Sequence, residues 1–264
     1  MDTPGFDDTH RTDGEVLELI TRFLTIQYQL GIPLKGIIYL HRITDIRMQG
    51  SAFKNFQMFQ KLCGEEALGN VVLLTTMWDK LKDEGEGLER EQNLRESFWH
   101  MMVEKNSYIA KFDGTKEMAE AVVTMLLGKQ PVVLDIQREL HDQRKTLSQT
   151  AAGKDIMPTL QADLDESNEQ IRQLEEQIRH AREQKAKADE AMFQREREEA
   201  AERRKRARRQ RAAMLTNVAA ETESTIQTAK KRSKWKDGIS LFAQVTGIAI
   251  GIVANLLPLL GISS

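Results

Sequence analysis

Two short stretches carry residue types that could handle a nucleoside triphosphate. The first is Asp2-Thr3-Pro4-Gly5-Phe6-Asp7-Asp8. In an Asp-x-x-Gly turn at a strand end, the carboxylate reaches a Mg²⁺ ion through water and the glycine amide senses the γ-phosphate. Asp2 and Gly5 fill those positions, and Thr3, Pro4, Phe6, Asp7 and Asp8 complete a switch-like loop. The second stretch is Thr75-Thr76-Met77-Trp78-Asp79. An Asn/Thr-Lys-x-Asp pattern reads guanine, its last carboxylate accepting from the N1 and N2 hydrogens of the base. Thr76 and Asp79 keep the polar positions, while Met77 replaces the lysine. Phe6 stands where a water-positioning glutamine often follows the switch glycine, and a phenyl ring cannot orient water. No catalytic residue is identifiable.

A phosphate-cradling Gly-x-x-x-x-Gly-Lys-Ser/Thr loop should precede the first stretch, and the sequence holds none. The expectation is a GTPase-type domain whose first strands and phosphate loop are missing, with Met1 a mis-assigned start. Ser-His-Asp sets, metal-ligand Cys/His spacings and dinucleotide fingerprints are also absent from the sequence. The single cysteine, Cys63, excludes an internal disulfide and reads as a small buried apolar residue.

The elements that would position these residues alternate. Thr12 and Glu15 have capping-box spacing ahead of a helical face of Val16, Leu19, Ile20, Phe23 and Leu24. Apolar runs at Gly36–Leu40, Val71–Leu74 and Tyr108–Ala110 read as buried strands. Helices are expected over Phe53–Phe59, Leu94–Met102 and Met118–Leu127. That rhythm predicts an α/β fold, a parallel sheet with flanking helices.

Charged residues make up 30% of the 264 and aromatics 6%, which suits a modest globular part joined to a long solvated helix. From Met157, the series Leu164, Ile171, Ile178, Lys185 and Met192, with Leu160, Ser167, Leu174, Ala181 and Ala188, makes a heptad pattern. A coiled coil is expected, a lone charged helix being the alternative. The net charge of −2 hides a basic block, Arg203 to Arg211. It could bind nucleic acid, act as a nuclear-import signal or attract anionic lipid. The lack of interleaved aromatics weakens single-strand binding, and the apolar run that follows ranks lipid or plain solvation above nucleic acid.

From Ile239 to Ile262 the chain is apolar, preceded by Lys230, Lys231, Arg232, Lys234 and Lys236. Two dozen such residues match the thickness of a bilayer, with Gly247 and Gly251 on a small-residue face. The expectation is a C-terminal transmembrane anchor that leaves the rest of the chain in the cytosol. The alternative is an apolar helix that folds back on a groove or dips into the membrane without crossing it, with a cytoplasmic protein as the alternative location.

Asp2–Phe6, the Leu62–Leu68 stretch Leu-Cys-Gly-Glu-Glu-Ala-Leu, Thr76–Asp79, Tyr39–Asp45 and Ile109–Gly114 together resemble septin-like P-loop GTPases. The likeness is to the immunity-associated (GIMAP-like) branch and to fungal G-domain-containing proteins, and it covers about the first 130 residues. It implies an incomplete P-loop GTPase sheet at 1–130, binding GTP and Mg²⁺, with a charged helical region at 131–236 and the apolar tail at 237–264. It also implies homo-oligomers through the G face. GTP hydrolysis would require the missing loop upstream, and this chain alone is expected to be inactive.

Overall fold

The computed structural model describes residues 3, 12–48, 50–184, 187–232 and 238–246. Helix α1 (Asp13–Gln29) opens on the capping box, with Glu15 accepting the Thr12 N–H at 2.9 Å and Thr12 Oγ1 accepting the Glu15 N–H at 3.4 Å. Strands β1 (Ile37–Arg42), β2 (Val71–Thr76) and β3 (Tyr108–Lys111) form a parallel sheet in that order. Ile37 pairs with Val71 and Leu73 with Ile109. The described chain divides into two compact units, residues up to 20 with 145–218, and residues 21–144 with 219–264.

In the sheet-bearing unit, β2 is buried from Val71 to Thr75, as an unbroken apolar run covered on both faces requires. Alternate side chains serve opposite faces. Helix α5 (Lys116–Leu127) lays Val122 and Leu126 on Val72 and Leu74, joined by Ile38, Ala110 and Phe112. On the other face, Tyr39 packs on Phe56 and Phe59 of α2 (Ser51–Cys63), with ring centroids 5.3 and 4.8 Å away.

The helix expected over Leu94–Met102 does not run as one: α3 (Glu84–Asn93) leads into a π turn, Leu94–Phe98, before α4 (His100–Glu104). The wider turn closes with Trp99 N–H donating to Leu94 O at 2.8 Å and buries Trp99 completely. The short α6 (Asp135–Gln137) ties this unit to α1, since the Gln137 amide donates to Leu24 O at 2.9 Å and to Gln27 Oε1 at 2.7 Å. Gly64 ends α2 at φ 76°, and a Cβ there would lie 2.1 Å from the Asp135 carboxyl carbon, so only glycine fits.

In the other unit, α7 (Gly153–Glu183) runs uninterrupted through Pro158, and α8 (Lys187–Met214) returns beside it. Gln170 meets Arg203 at 3.0 Å, Glu175 meets Arg197 at 3.0 Å, and Arg182 meets Glu190 at 2.6 Å. Partner numbers fall on one helix as they rise on the other, so the pair is antiparallel. Leu160, Leu164, Ile171, Ile178 and Ala181 are buried along α7, against the smaller Ala200, Ala207 and Met214 on α8. The heptad pattern is therefore satisfied within one chain. Past the reversal it lapses, and Met192, a core position in the heptad reading, is 48% exposed.

The transmembrane expectation is corrected. Among the described residues no helix is long and apolar enough to cross a membrane. The described part of the apolar run is α10 (Gly238–Thr246). It packs on protein: Leu241, Phe242 and Val245 join Ile26 of α1, Leu30 just after that helix, and Ile226 and Ala229 of α9 (Val218–Arg232). Ile239 lies in the α10 backbone. Gly247, Gly251 and Ile262, with the rest of 247–264, lie outside the described residues.

Candidate functional site

The three strands end together at Arg42, Thr76 and Lys111, and the carboxyl edge of a parallel sheet is where α/β folds bind ligands. Two backbone bonds carry the pairing past those ends. Thr76 O accepts the Ile43 N–H at 2.9 Å, and Thr75 O accepts the Phe112 N–H at 2.8 Å. Beyond Thr76 the chain turns through Met77, whose φ of 62° is left-handed. A side chain there costs on the order of 1–2 kcal/mol, which the surrounding contacts offset.

That turn sends the next two side chains in opposite directions. Trp78 goes inward, donating its indole N–H to Thr75 Oγ1 at 3.0 Å, and Gly87 leaves room for its ring: a Cβ there would lie 2.7 Å from the indole. The Lys111 ammonium sits 4.1 Å above the Trp78 ring and also pairs with Glu84. Asp79 goes outward, its carboxylate about two-thirds exposed and 2.9 Å from Lys80 Nζ. Thr76 Oγ1 is committed to the sheet, donating to His41 O at 3.3 Å.

Thus Thr76 and Asp79 reach the carboxyl edge of the central strand. Thr75, Trp78, Glu91 and Lys111 form the support beneath them, which the motif reading passed over. A lysine closing the Tyr108 strand was the one available signal.

The phosphate-facing half has a different status. Asp2, Pro4, Gly5, Phe6, Asp7 and Asp8 lie outside the described residues, and Thr3 is exposed. Among the described residues no group of three His, Cys, Asp or Glu side chains could hold a metal ion. The open Asp79 carboxylate at the strand end has the chemistry and the exposure to accept from a guanine edge, with Lys80 competing for it.

His41 is buried beside the edge, its ring 5.9 Å from that of Trp99 in an edge-to-face contact. Burial holds its imidazole below the ordinary value, Arg42 acting in the same direction and Asp45 against. Cys63 is fully buried, and burial with the nearby Asp135 pushes its thiol strongly up, which leaves an inert side chain. Arg90 spans from α3 to the loop after β1, donating to the carbonyls of Ile43 and Thr44 at 3.0 and 3.3 Å. Beside it lies an open groove of about 660 Å³ whose walls include Ile46, Glu89 and Phe98. A groove of about 730 Å³ on the helical unit is lined by Glu and Arg side chains and Lys205.

No family model matches the chain, and no curated protein or solved structure matches it.

Proposed function

We propose that the sheet-bearing unit is the base-recognising part of a GTP-binding module. The observation that carries this is the placement of Asp79: an open carboxylate immediately after the central strand of a parallel sheet, turned outward by left-handed Met77. Asp79 accepts from the guanine N1 and N2 hydrogens, and Thr76 fixes the strand end behind it. By the septin-like resemblance, Asp2 would hold Mg²⁺ through water and Gly5 would sense the γ-phosphate. Tight binding and hydrolysis belong to a chain that also carries a phosphate loop.

Titration with GTP and ATP by saturation-transfer NMR tests the reading. Guanine should be preferred over adenine, and Asp79→Asn should abolish the preference while leaving the fold intact by circular dichroism. Equal responses to the two nucleotides, or an unchanged preference in the variant, would reject it.

A second reading, an assembly scaffold without enzymatic activity, draws on the α7–α8 pair. Two such pairs packing as a coiled coil would make a homo-oligomer whatever the nucleotide, adding to contacts through the G face. Sedimentation with and without GTP separates the two, since the scaffold alone predicts one oligomeric state in both conditions.

A further inference from the structure

Seven of the nine residues from Arg203 to Arg211 are basic, and the fold treats them unequally. One side of α8 is engaged. Arg203 donates to Gln170 at 3.0 Å, Arg206 pairs with Glu15 at 3.4 Å, and Gln210 donates to Thr12. Arg204, Arg208 and Arg211 lie on the other side, at i, i+4 and i+7, so they form one stripe about 10.5 Å long. Among the described residues these three have no ion pair. Leu215, four positions beyond Arg211 and 49% exposed, extends the stripe with an apolar end.

Elsewhere on α8, arginines reach carboxylates on neighbouring helices, as Arg197 does with Glu175 and Arg206 with Glu15. The stripe is thus built like a helix-docking face that lacks its helix. On α7, Glu169 is held by Arg172 at 2.8 Å and Glu175 by Arg197 at 3.0 Å. Helix α3 and its π turn offer a better complement. Glu89 and Glu96 are both exposed, seven residues apart, with Gln92 between them. Glu89 has no ion pair among the described residues, and Glu96 accepts only from Gln92. Apolar side chains stand beside them, Leu88 at 56% and Ile46 at 73% exposed.

We propose that the Arg204–Arg208–Arg211 stripe of one copy docks on the Glu89–Glu96 face of a second copy. With the helices antiparallel, Arg211 meets Glu89, Arg208 meets Gln92, and Arg204 meets Glu96. The two patches differ, so the contact is head-to-tail, and each copy keeps one free patch of each kind for the next. This assembly does not depend on nucleotide, and its test is independent of the GTP reading.

Two variants of the full chain test it by sedimentation velocity at low salt. One carries Arg204→Gln, Arg208→Gln and Arg211→Gln; the other carries Glu89→Gln and Glu96→Gln. The wild type should form species that grow with concentration and dissociate at high salt, where screening shortens the reach of charge. Each variant alone should associate about tenfold more weakly or worse, the size expected when two exposed ion pairs are lost together. Mixed, the two variants retain one intact contact between them and should give a 1:1 dimer and nothing larger. The proposal is overturned by a monomeric wild type at low salt, by either variant associating like the wild type, or by a mixture that stays as two monomers. Circular dichroism confirms that each variant is folded.

Discussion

The indole N–H of Trp78 donates to the Thr75 hydroxyl at 3.0 Å, and that hydroxyl stands 3.0 Å from the Glu91 carboxylate. Thr75 is completely buried, so water cannot replace what it supplies. Thr75→Val keeps the shape and removes the hydroxyl, leaving the indole N–H without its acceptor. The expected loss is about 1–3 kcal/mol in urea unfolding. Thr75→Ser, which keeps the oxygen, should lose clearly less; equal losses would mean that the methyl group matters and the relay does not.

This relay marks the boundary of what the sequence discloses. Val71–Leu74 is legible as a strand because an apolar run of that length has few other uses, and Thr76 and Asp79 follow it as a motif. Lys111 comes alongside Thr75 only through the β2–β3 register, and Glu91 reaches it from a helix 16 residues away in sequence. Neither relation leaves a local pattern. The α7–α8 pair is similar. A heptad stripe states that a helix has a partner but not whether the partner is another chain or its own continuation. No glycine or proline from His180 to Met192 announces that α7 gives way to an antiparallel α8. The start of the apolar tail misled for a further reason: composition measures how much surface must be buried, and at Leu241, Phe242 and Val245 it is protein that buries it.

His41 ties stability to pH. Burial first, with Arg42 in the same direction, holds its folded-state value below the 6.5 of a free imidazole, while Asp45 opposes both. Below that free value the unfolded chain takes up a proton that the folded chain refuses. Stability from this group is therefore complete above about pH 6.5 and declines as pH falls through it, by at most about 1.4 kcal/mol per pH unit for one proton. His41→Gln should flatten the stability profile between neutral and mildly acid pH. An identical slope in the variant would show that His41 protonates freely when folded.

The seam between α7 and α8 is narrow because α8 contributes alanines. Ala200 is completely buried and Ala207 nearly so. Ala200→Leu inserts a branched side chain where two backbones approach closely, and overpacking of that kind costs typically 1–3 kcal/mol. Ala201→Leu, one position along on a half-buried site, is the control and should cost less. If both variants melt with the wild type, the seam is loose and the pairing rests on its surface charges.

Helix α10 docks on the protein through specific contacts. Leu241 is almost fully buried, and Phe242 meets Phe23 of α1 edge-on at 5.0 Å. The neighbouring α9 is held to the same helix, by Glu221 to Arg22 at 2.9 Å and by the Gln29 amide to Ala219 O at 2.9 Å. Leu241→Ala removes the central apolar contact, worth about 2–5 kcal/mol at a well-packed core site. The loss should be local. Amide hydrogens of α10 and of the last turns of α1 should exchange faster, while those of β2, on a separate apolar cluster, keep their protection. Phe23→Ala, made from the α1 side, should loosen the same amides. If either variant exposes β2 as well, α10 is part of the global fold and the cluster is not a separable unit.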